Sequence, residues 1–297
     1  MSIIDLQDGS FSVRASTLGG ILLDYSWAVD GDKIALLRPA PDDASASSSA
    51  CYPLVPFGNR IRNNRFTFEG RDYQLRPNTA SDPHYLHGDG WQGEWSILSR
   101  SSNQLQIGFR HRGENTPYSY DAKQIIALSS EGLMLHLSVE NTGTEALPFG
   151  LGWHPYFPMT PQTTLFAPAK RFWTEAEGFL PGERTAIPAD LDFSQPSPLP
   201  RRWVNNGFEE WSGEARIVWP ERRASLRLTA DASIRHAFIF VPDTNFNPAF
   251  RHDYFCFEPM SHVANGHNLP DLGDLKILQP GESLAGSIRL QPRKYPE

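Results

Sequence analysis

Residues 133–140 alternate with a period of two, and this alternation constrains the fold more than any other feature of the chain. Leucine or valine occupies every second position, and methionine, histidine, serine and glutamate lie between them. In an extended chain such a period puts the apolar set on one face, so the run predicts a half-buried strand. No window of about 12 residues has an apolar period of 3.6, which would indicate a helix. We therefore predict an all-β fold.

The rest of the chain reads as short strands separated by turn signals. Glycine (23 residues) and proline (25 residues) interrupt the sequence often. Residues 65–75 predict a β-hairpin whose turn is Glu69-Gly70. Many short strands with turns between them are typical of a sandwich or a barrel. Further strands are predicted at residues 95–100, 105–110, 123–128, 215–219, 225–229, 236–241, 254–257 and 283–290.

A single domain spanning residues 1–297 is the predicted organisation. Residues 41–49 and 194–200 are rich in serine, alanine and proline and have the composition of surface loops or interdomain linkers. Strand-like patterns continue on both sides of each segment without a change in character, and no internal repeat of fixed period is present. These observations favour one large all-β unit over two domains.

Composition excludes several classes of function. The net charge is −7 and no block of lysine and arginine occurs, which argues against nucleic acid and anionic membranes as partners. No apolar run approaches the roughly 18 residues of a membrane span. The first residues lack the basic and apolar regions of a signal peptide. Cys51 and Cys256 are too few for a disulfide framework. A reduced, cytoplasmic protein is the expectation.

The aromatic segment Gly150-Leu151-Gly152-Trp153-His154-Pro155-Tyr156-Phe157 is the first candidate for a functional site. The proline holds His154 in an extended conformation, and the glycines permit a close approach of the backbone. Aromatic rings beside an imidazole offer a ligand a flat apolar wall with a polar tip. The same pattern also describes an ordinary buried histidine at the end of a core strand, so this segment alone leaves both interpretations open.

Two further segments carry polar groups suited to a ligand. Asn59 and Arg60 supply an amide that donates and accepts and a fork of fixed donors, which suits sugar hydroxyls. For Arg62 and Arg65 a solvated basic strand is the preferred interpretation. In His84-Tyr85-Leu86-His87 two histidines lie three residues apart, but nothing else at zinc-like spacing supports a metal site. His87 is either presented at a strand end or held in a structural turn.

Glu258 ends the apolar run 254–257 and is followed by a proline, which we expect to end the strand there. A carboxylate on such a strand is costly to bury unless it is paired or used in chemistry. Partial burial would raise its pKa above the usual value of about 4.3 and make it a better base. The alternative is an exposed glutamate at a strand end.

These segments occur in the order seen in aldose 1-epimerases (galactose mutarotases), a family that the chain resembles from its first strands to residues 279–282. The resemblance implies a large antiparallel β-sandwich, the galactose mutarotase-like supersandwich, whose concave face holds a monosaccharide. The matching segments are Asn59-Arg60-Ile61 with the following hairpin, Leu86-His87-Gly88, His154-Pro155-Tyr156-Phe157, residues 208–215 with Trp219-Pro220, and Glu258-Pro259.

The resemblance also implies roles for individual residues. Glu258 takes the proton of the anomeric hydroxyl, and His154 protonates the ring oxygen. Asn59, Arg60 and His87 hold sugar oxygens, and Tyr156 and Asn205 also contact the substrate. The family usually has an aspartate where the present sequence has Asn205, which leaves the preferred sugar stereochemistry open.

The implied reaction interconverts α and β anomers by opening the ring, rotating about C1–C2 and closing it again. One acid and one base suffice, so no cofactor and no metal are expected. An imidazole with a pKa near 6.5 stays protonated at neutral pH if a carboxylate such as Glu258 raises that pKa.

Other functions remain open at this point. One is a hexose-6-phosphate 1-epimerase, for which Arg62, Arg65 and Arg71 would be available to bind the phosphate. Another is a non-catalytic carbohydrate-binding protein on the same fold. A glycoside hydrolase would need a second carboxylate that the sequence does not identify. Which aldose is preferred, and whether the protein is a monomer or a homodimer, is not determined by the sequence.

Overall fold

The computed structural model describes residues 1–113 and 116–296, and almost all of its regular structure is β. The helical segments in those ranges are 3-10 turns of three residues, at Ala46–Ser48, Arg62–Asn64, Glu177–Phe179, Ala189–Leu191, Pro220–Arg222, Gly266–Asn268 and Leu272–Asp274. No helix in the described part of the chain is long and apolar enough to cross a membrane.

The described ranges contain 27 strands. Their bounds are β1 (Ile3–Asp8), β2 (Phe11–Ser16), β3 (Leu22–Val29), β4 (Asp32–Ala35), β5 (Pro53–Leu54), β6 (Arg60–Ile61), β7 (Arg65–Phe68), β8 (Arg71–Gln74), β9 (Tyr85–Leu86), β10 (Ser96–Arg100), β11 (Gln104–Arg112), β12 (Ser119–Ser129), β13 (Gly132–Asn141), β14 (Leu147–Phe149), β15 (Gly152–Trp153), β16 (Tyr156–Pro158), β17 (Thr164–Phe166), β18 (Arg171–Ala176), β19 (Leu180–Thr185), β20 (Ser197–Pro198), β21 (Val204–Glu209), β22 (Glu214–Trp219), β23 (Ala224–Ala230), β24 (His236–Val241), β25 (Tyr254–Met260), β26 (Lys276–Leu278) and β27 (Ser283–Lys294).

Two large antiparallel sheets dominate the structure. One has nine strands in the order β10-β11-β12-β13-β27-β23-β22-β17-β20, and the other has eight in the order β19-β18-β21-β24-β25-β15-β5, with β16 also paired to β25. A four-stranded sheet, β1-β2-β3-β4, and three two-stranded ribbons complete the fold. The prediction of an all-β, antiparallel structure is confirmed.

The main hydrophobic core collects side chains from both large sheets. Leu135 and Leu137 of β13 belong to it, as do Phe255 and Phe257 of β25. The strand period of two turns the intervening residues of β25 to the opposite face. There Cys256 joins a smaller aromatic and apolar cluster, and Glu258 is buried on the same side. The eight-stranded sheet therefore carries Glu258 on the face that does not pack in the main core.

Most of the predicted strands are confirmed, with one correction. The alternating run is β13, and the hairpin predicted at residues 65–75 is β7 and β8, with Glu69 and Gly70 at positive φ in the turn. The expectation that Pro259 ends its strand is wrong. Strand β25 continues to Met260, and Pro259 lies opposite Ala237 of β24.

Candidate active site

A small cavity opens on the face of the eight-stranded sheet that carries Glu258. Its volume is about 160 Å³, below the roughly 300–1,000 Å³ of pockets for drug-sized ligands, so it suits a small molecule. Every residue predicted for the site lines this cavity. These are Asn59, Arg60, His87, His154, Tyr156, Asn205 and Glu258.

His154 and Glu258 lie side by side in the cavity because of the strand register. Gly152 pairs with Met260, and Tyr156 pairs with Cys256, so the same antiparallel register puts His154 opposite Glu258. Directly opposite residues have Cβ atoms about 4.5–5.5 Å apart. His154 Nε2 lies 3.2 Å from Glu258 Oε1, and both side chains are buried. The two groups, 104 positions apart in the chain, form one acid/base pair.

Pro155 and Pro259, the prolines of the His-Pro and Glu-Pro motifs, lack the N–H groups that would pair the backbone of the two strands around His154 and Glu258. The backbone N–H of His154 is used elsewhere, since it donates to the Tyr52 carbonyl at 2.9 Å. In the same register the neighbouring positions join Trp153 to Pro259 and Pro155 to Phe257, and a proline has no N–H to donate. The backbone pairing of β25 is interrupted between β16 and β15, where the His154 and Glu258 side chains meet.

Burial favours the uncharged form of both members of the pair. It lowers the pKa of His154 from its usual 6.5 to about 3, and it raises the pKa of Glu258 well above its usual value. The Arg60 guanidinium acts in the opposite direction on Glu258 and favours its carboxylate. The expectation that Glu258 raises the pKa of His154 is therefore not met, because burial lowers that pKa and the Arg38 and Arg60 guanidinium groups lower it further.

The pair nevertheless holds one proton across a wide pH range. A second proton is bound only near the lowered pKa of His154, and the last proton is lost only above the raised pKa of Glu258. The neutral pair and the ion pair differ by the position of that proton along the 3.2 Å contact. One acid and one base are thus present together in either form.

His87 and Asn59 hold each other in place at the edge of the cavity. Asn59 N donates to His87 Nδ1 at 2.9 Å, and His87 N donates to the Asn59 carbonyl at 2.8 Å. Both residues have a positive φ, and they lie next to each other at one end of the short β6–β9 ribbon. Because Nδ1 of His87 accepts a hydrogen bond, the proton of the neutral ring must lie on Nε2. His87 therefore offers the cavity a hydrogen-bond donor.

The same tautomer argues against a metal ion in the cavity. His87, His154 and Glu258 have ligand atoms within 4.8 Å of one another, the one such cluster found among the described residues. A histidine binds a metal through an unprotonated nitrogen, and the hydrogen bond from Asn59 keeps the proton of His87 on Nε2. His84, the other histidine considered for a metal, accepts from the Asn63 backbone instead.

Arg60 is fixed by a residue that the sequence did not identify. Its Nε and Nη2 lie 2.8 and 2.7 Å from Asp82 Oδ2, and the Asp82 side chain is buried. The guanidinium also lies over the ring of Phe179, with Cζ 5.2 Å from the ring centroid. This arrangement holds the arginine at the cavity wall. Asp82 lies in a loop of ordinary composition, so only its position in space indicates the role.

Stacked aromatic rings surround His154 and support its orientation. The Tyr52 ring stacks on the imidazole with centroids 4.5 Å apart, and the Tyr156 ring lies 4.8 Å away. Behind Tyr156, the Arg38 guanidinium lies 3.8 Å from the ring centroid and donates to the carbonyl of Ser49. Tyr52 and Arg38 are further contributors that the sequence pattern does not reveal.

The glycines of the aromatic segment pack against other protein atoms and do not line the cavity. A Cβ on Gly150 would lie 2.3 Å from the His262 ring, and one on Gly152 would lie 2.6 Å from the Pro259 carbonyl. His262 Nε2 in turn accepts from the Gly58 backbone N–H at 3.0 Å. The close approach anticipated from the sequence therefore packs the His154 segment tightly against β25 and against His262, two residues beyond it.

The fold and the cavity define a β-sandwich protein with a buried acid/base pair on one sheet face. The model of the aldose 1-epimerase family matches residues 2–291, and the chain belongs to that family. It is 44% identical to the uncharacterized Escherichia coli K12 protein YphB over 292 residues, which cover 98% of this chain and 99% of YphB.

Solved structures agree with this assignment. A crystal structure of an Escherichia coli K12 protein, provisionally described as an aldose 1-epimerase, has a TM-score of 0.94 and 43% identity and covers 99% of both chains. A galactose mutarotase-like protein from Clostridium acetobutylicum has a TM-score of 0.83 over 98% of this chain and 95% of its own. At 19% identity the second comparison bears on the fold alone.

Proposed function

We propose that the protein is an aldose 1-epimerase that interconverts the α and β anomers of a free aldose. The observation that carries the proposal is the buried pair of His154 Nε2 and Glu258 Oε1, 3.2 Å apart on the wall of a cavity sized for a small ligand. Membership of the aldose 1-epimerase family supports it independently. The pair supplies one proton donor and one acceptor, which is what ring opening requires.

In the proposed cycle the shared proton first moves from Glu258 to His154 along their 3.2 Å contact. Glu258 removes the proton from the C1 hydroxyl while His154 gives its proton to the ring oxygen. The C1–O5 bond breaks, and the C1–O1 bond becomes a carbonyl. Rotation about C1–C2 turns the other carbonyl face to O5, and the reverse transfers close the ring. The pair ends with the single proton it held at the start, so nothing is consumed.

The other cavity residues supply hydrogen bonds to the substrate. His87 Nε2 donates, and the Arg60 fork donates from a position fixed by Asp82. Both lie beside the pair, where they stabilise negative charge developing on the substrate oxygens. Arg60 is the one cationic side chain among the described residues that line the cavity.

A hexose 6-phosphate fits the cavity less well. Of the arginines considered for a phosphate, Arg71 pairs with Glu145 on the surface, and Arg62 donates to the Pro181 carbonyl. Arg65 lines a separate groove with Tyr73. Phosphate is usually bound by several cations or a bidentate arginine. The single arginine of the cavity is already held by Asp82, which favours an uncharged sugar.

Mutarotation of freshly dissolved sugars tests the proposal. We expect purified protein to accelerate the equilibration of α-glucose, α-galactose or another member of a panel of aldoses above the rate in the same buffer without protein. Polarimetry, or NMR integration of the anomeric protons, measures the rate directly. If no aldose in the panel equilibrates faster with protein, the catalytic proposal fails, and binding of the same sugars would then favour the carbohydrate-binding alternative.

The pKa shifts of the pair predict an unusually flat pH profile. If Glu258 and His154 titrated at their usual values near 4.3 and 6.5, the active form would be lost as pH rose past 6.5, about 30-fold by pH 8. Burial in the cavity lowers the pKa of His154 to about 3 and raises the pKa of Glu258. The pair therefore keeps its single proton at every pH between these two pKa values. We expect kcat/KM to fall by much less than 30-fold between pH 6.5 and pH 8.

The profile is measured by NMR in low-concentration buffers, with the uncatalysed rate subtracted at each pH. A bell-shaped curve with limbs near 4.3 and 6.5 would contradict the shared-proton description of the pair. The profile of Glu209→Gln serves as the control, since Glu209 is a buried glutamate that does not line the cavity.

A further inference from the structure

The carboxylate of Glu175 on β18 joins two residues of the cavity wall. Its Oε1 accepts from Asn205 Nδ2 at 2.7 Å, and its Oε2 accepts from Trp203 Nε1 at 2.6 Å. Asn205 and Trp203 both line the cavity, whereas Glu175 stands behind them. A carboxylate accepts through both oxygens and an indole N–H only donates, so each contact has one possible direction.

This network fixes which end of the Asn205 amide faces the ligand. The Asn205 side chain donates from Nδ2 to Glu175, so its carbonyl oxygen Oδ1 points away from Glu175. No described residue donates a hydrogen bond to that oxygen, and Asn205 lines the cavity. A flipped amide would set Oδ1 against the Glu175 carboxylate, with two acceptors in contact. Asn205 therefore presents a hydrogen-bond acceptor, Oδ1, to the cavity.

The sheet register sets the distance between this acceptor and the acid/base pair. Asn205 pairs with Phe240, which pairs with Cys256, two residues before Glu258 on β25. Two strand spacings of about 4.8 Å and two residues of about 3.3 Å put the Cα atoms of Asn205 and Glu258 roughly 12 Å apart. One pyranose ring fits between the two side chains. With C1 at the pair, Asn205 faces a hydroxyl on the far part of the ring.

We propose that Glu175 is a positioning residue that holds Asn205 Oδ1 as an acceptor for one hydroxyl remote from C1. The preferred substrates are then aldopyranoses that carry a hydroxyl able to donate at that position. The inference rests on the proposed function and deepens it. Glu175 also holds Trp203, whose indole lies among Phe179, Phe240 and Phe246, so one carboxylate holds a polar and an aromatic residue of the cavity wall.

The test combines Glu175 variants with sugars that lack single hydroxyls. The parent aldose and its 2-, 3-, 4- and 6-deoxy analogues are compared by NMR for kcat and KM. With the unmodified protein, we expect one analogue with the hydroxyl remote from C1 removed to lose about tenfold in kcat/KM. With Glu175→Gln, the Trp203 indole N–H keeps the glutamine carbonyl oxygen on its side, so the glutamine NH2 group faces Asn205. The Asn205 amide then turns its oxygen towards residue 175 and its NH2 group towards the cavity. We then expect KM for the parent sugar to rise, kcat to change less than about threefold, and the deoxy penalty to fall below about threefold.

Exchanging the charged and amide groups of Glu175 and Asn205 tests whether Glu175 positions Asn205 or only stabilises the fold. Asn205→Asp brings two carboxylates into contact and is expected to weaken activity on the parent sugar at least tenfold. Adding Glu175→Gln to Asn205→Asp restores one donor and one acceptor at the contact, and we expect it to recover most of that loss. Glu183→Gln, at an exposed position of strand β19, is the matched control and should leave every ratio unchanged.

Two outcomes overturn the inference. One is a deoxy penalty that is the same with and without Glu175, and the other is a double variant no better than Asn205→Asp alone. Failure of the proposed function gives a different result, namely no acceleration by the unmodified protein with any sugar. The same sugars are then compared by calorimetric binding, where a deoxy penalty that depends on Glu175 supports the inference and its absence contradicts it.

Discussion

Glu258→Gln is expected to reduce kcat for mutarotation by about 10²–10⁴-fold, the range that a positioned general base usually contributes. Glutamine has nearly the same shape and still accepts a hydrogen bond, but it cannot take a proton from the C1 hydroxyl. The fold should tolerate the change, since burial already disfavours the charged carboxylate and raises its pKa. NMR integration of the anomeric protons at several sugar concentrations gives kcat and KM separately.

The separate effects of Glu258→Gln on kcat and on KM show whether Glu258 acts as a base or only binds the sugar. A base acts in the transition state, so we expect KM to change less than about threefold while kcat falls. The same variant should still bind sugar, which distinguishes a disabled enzyme from a binding protein that never turned over. Glu209→Gln is the matched control: Glu209 is a buried glutamate of the same sheet, bonded to Trp173 and Arg184 outside the cavity. If both variants keep full activity, Glu258 is not the base.

The sequence predicts the fold because its local patterns agree with the tertiary structure. The alternation in β13 has its leucines in the core, and the turn at Glu69-Gly70 takes the positive φ values that a two-residue hairpin needs. The exception is Pro259, which continues its strand. A proline is tolerated there because its missing N–H falls where β25 passes from β16 to β15, while its other side stays paired with β24.

The sequence predicts which residues form the site, but it does not show which residues surround and orient them. Asp82 and Glu175 are single acidic residues in unremarkable segments, and their roles follow from what they hold, Arg60 and Asn205. The direction of the His154 pKa shift also depends on burial, which no local pattern reports. Motif order predicts the groups that we propose to react, and only the structure identifies the groups that orient them.

His154→Asn is expected to reduce kcat by about 10²–10⁴-fold, because asparagine has no proton to give to the ring oxygen near neutral pH. If His154 were only a buried structural histidine, the same change would lower the free energy of unfolding and leave turnover of the folded protein intact. Thermal unfolding and NMR kinetics on the same preparation separate the two cases. We expect the kinetic loss to greatly exceed what any unfolded fraction explains.

His236→Asn is the matched control for this change. His236 is also buried and also contacts a carboxylate, with Nε2 2.8 Å from Asp274 Oδ2, but it does not line the cavity. We expect it to affect stability while kcat stays within about threefold.

The double variant His154→Asn with Glu258→Gln tests whether the two residues act as one unit. Groups that act as one unit give losses that do not multiply, so the double variant should be about as slow as the slower single variant. A loss equal to the product of the two would show that His154 and Glu258 act independently, and the shared-proton pair would have to be abandoned.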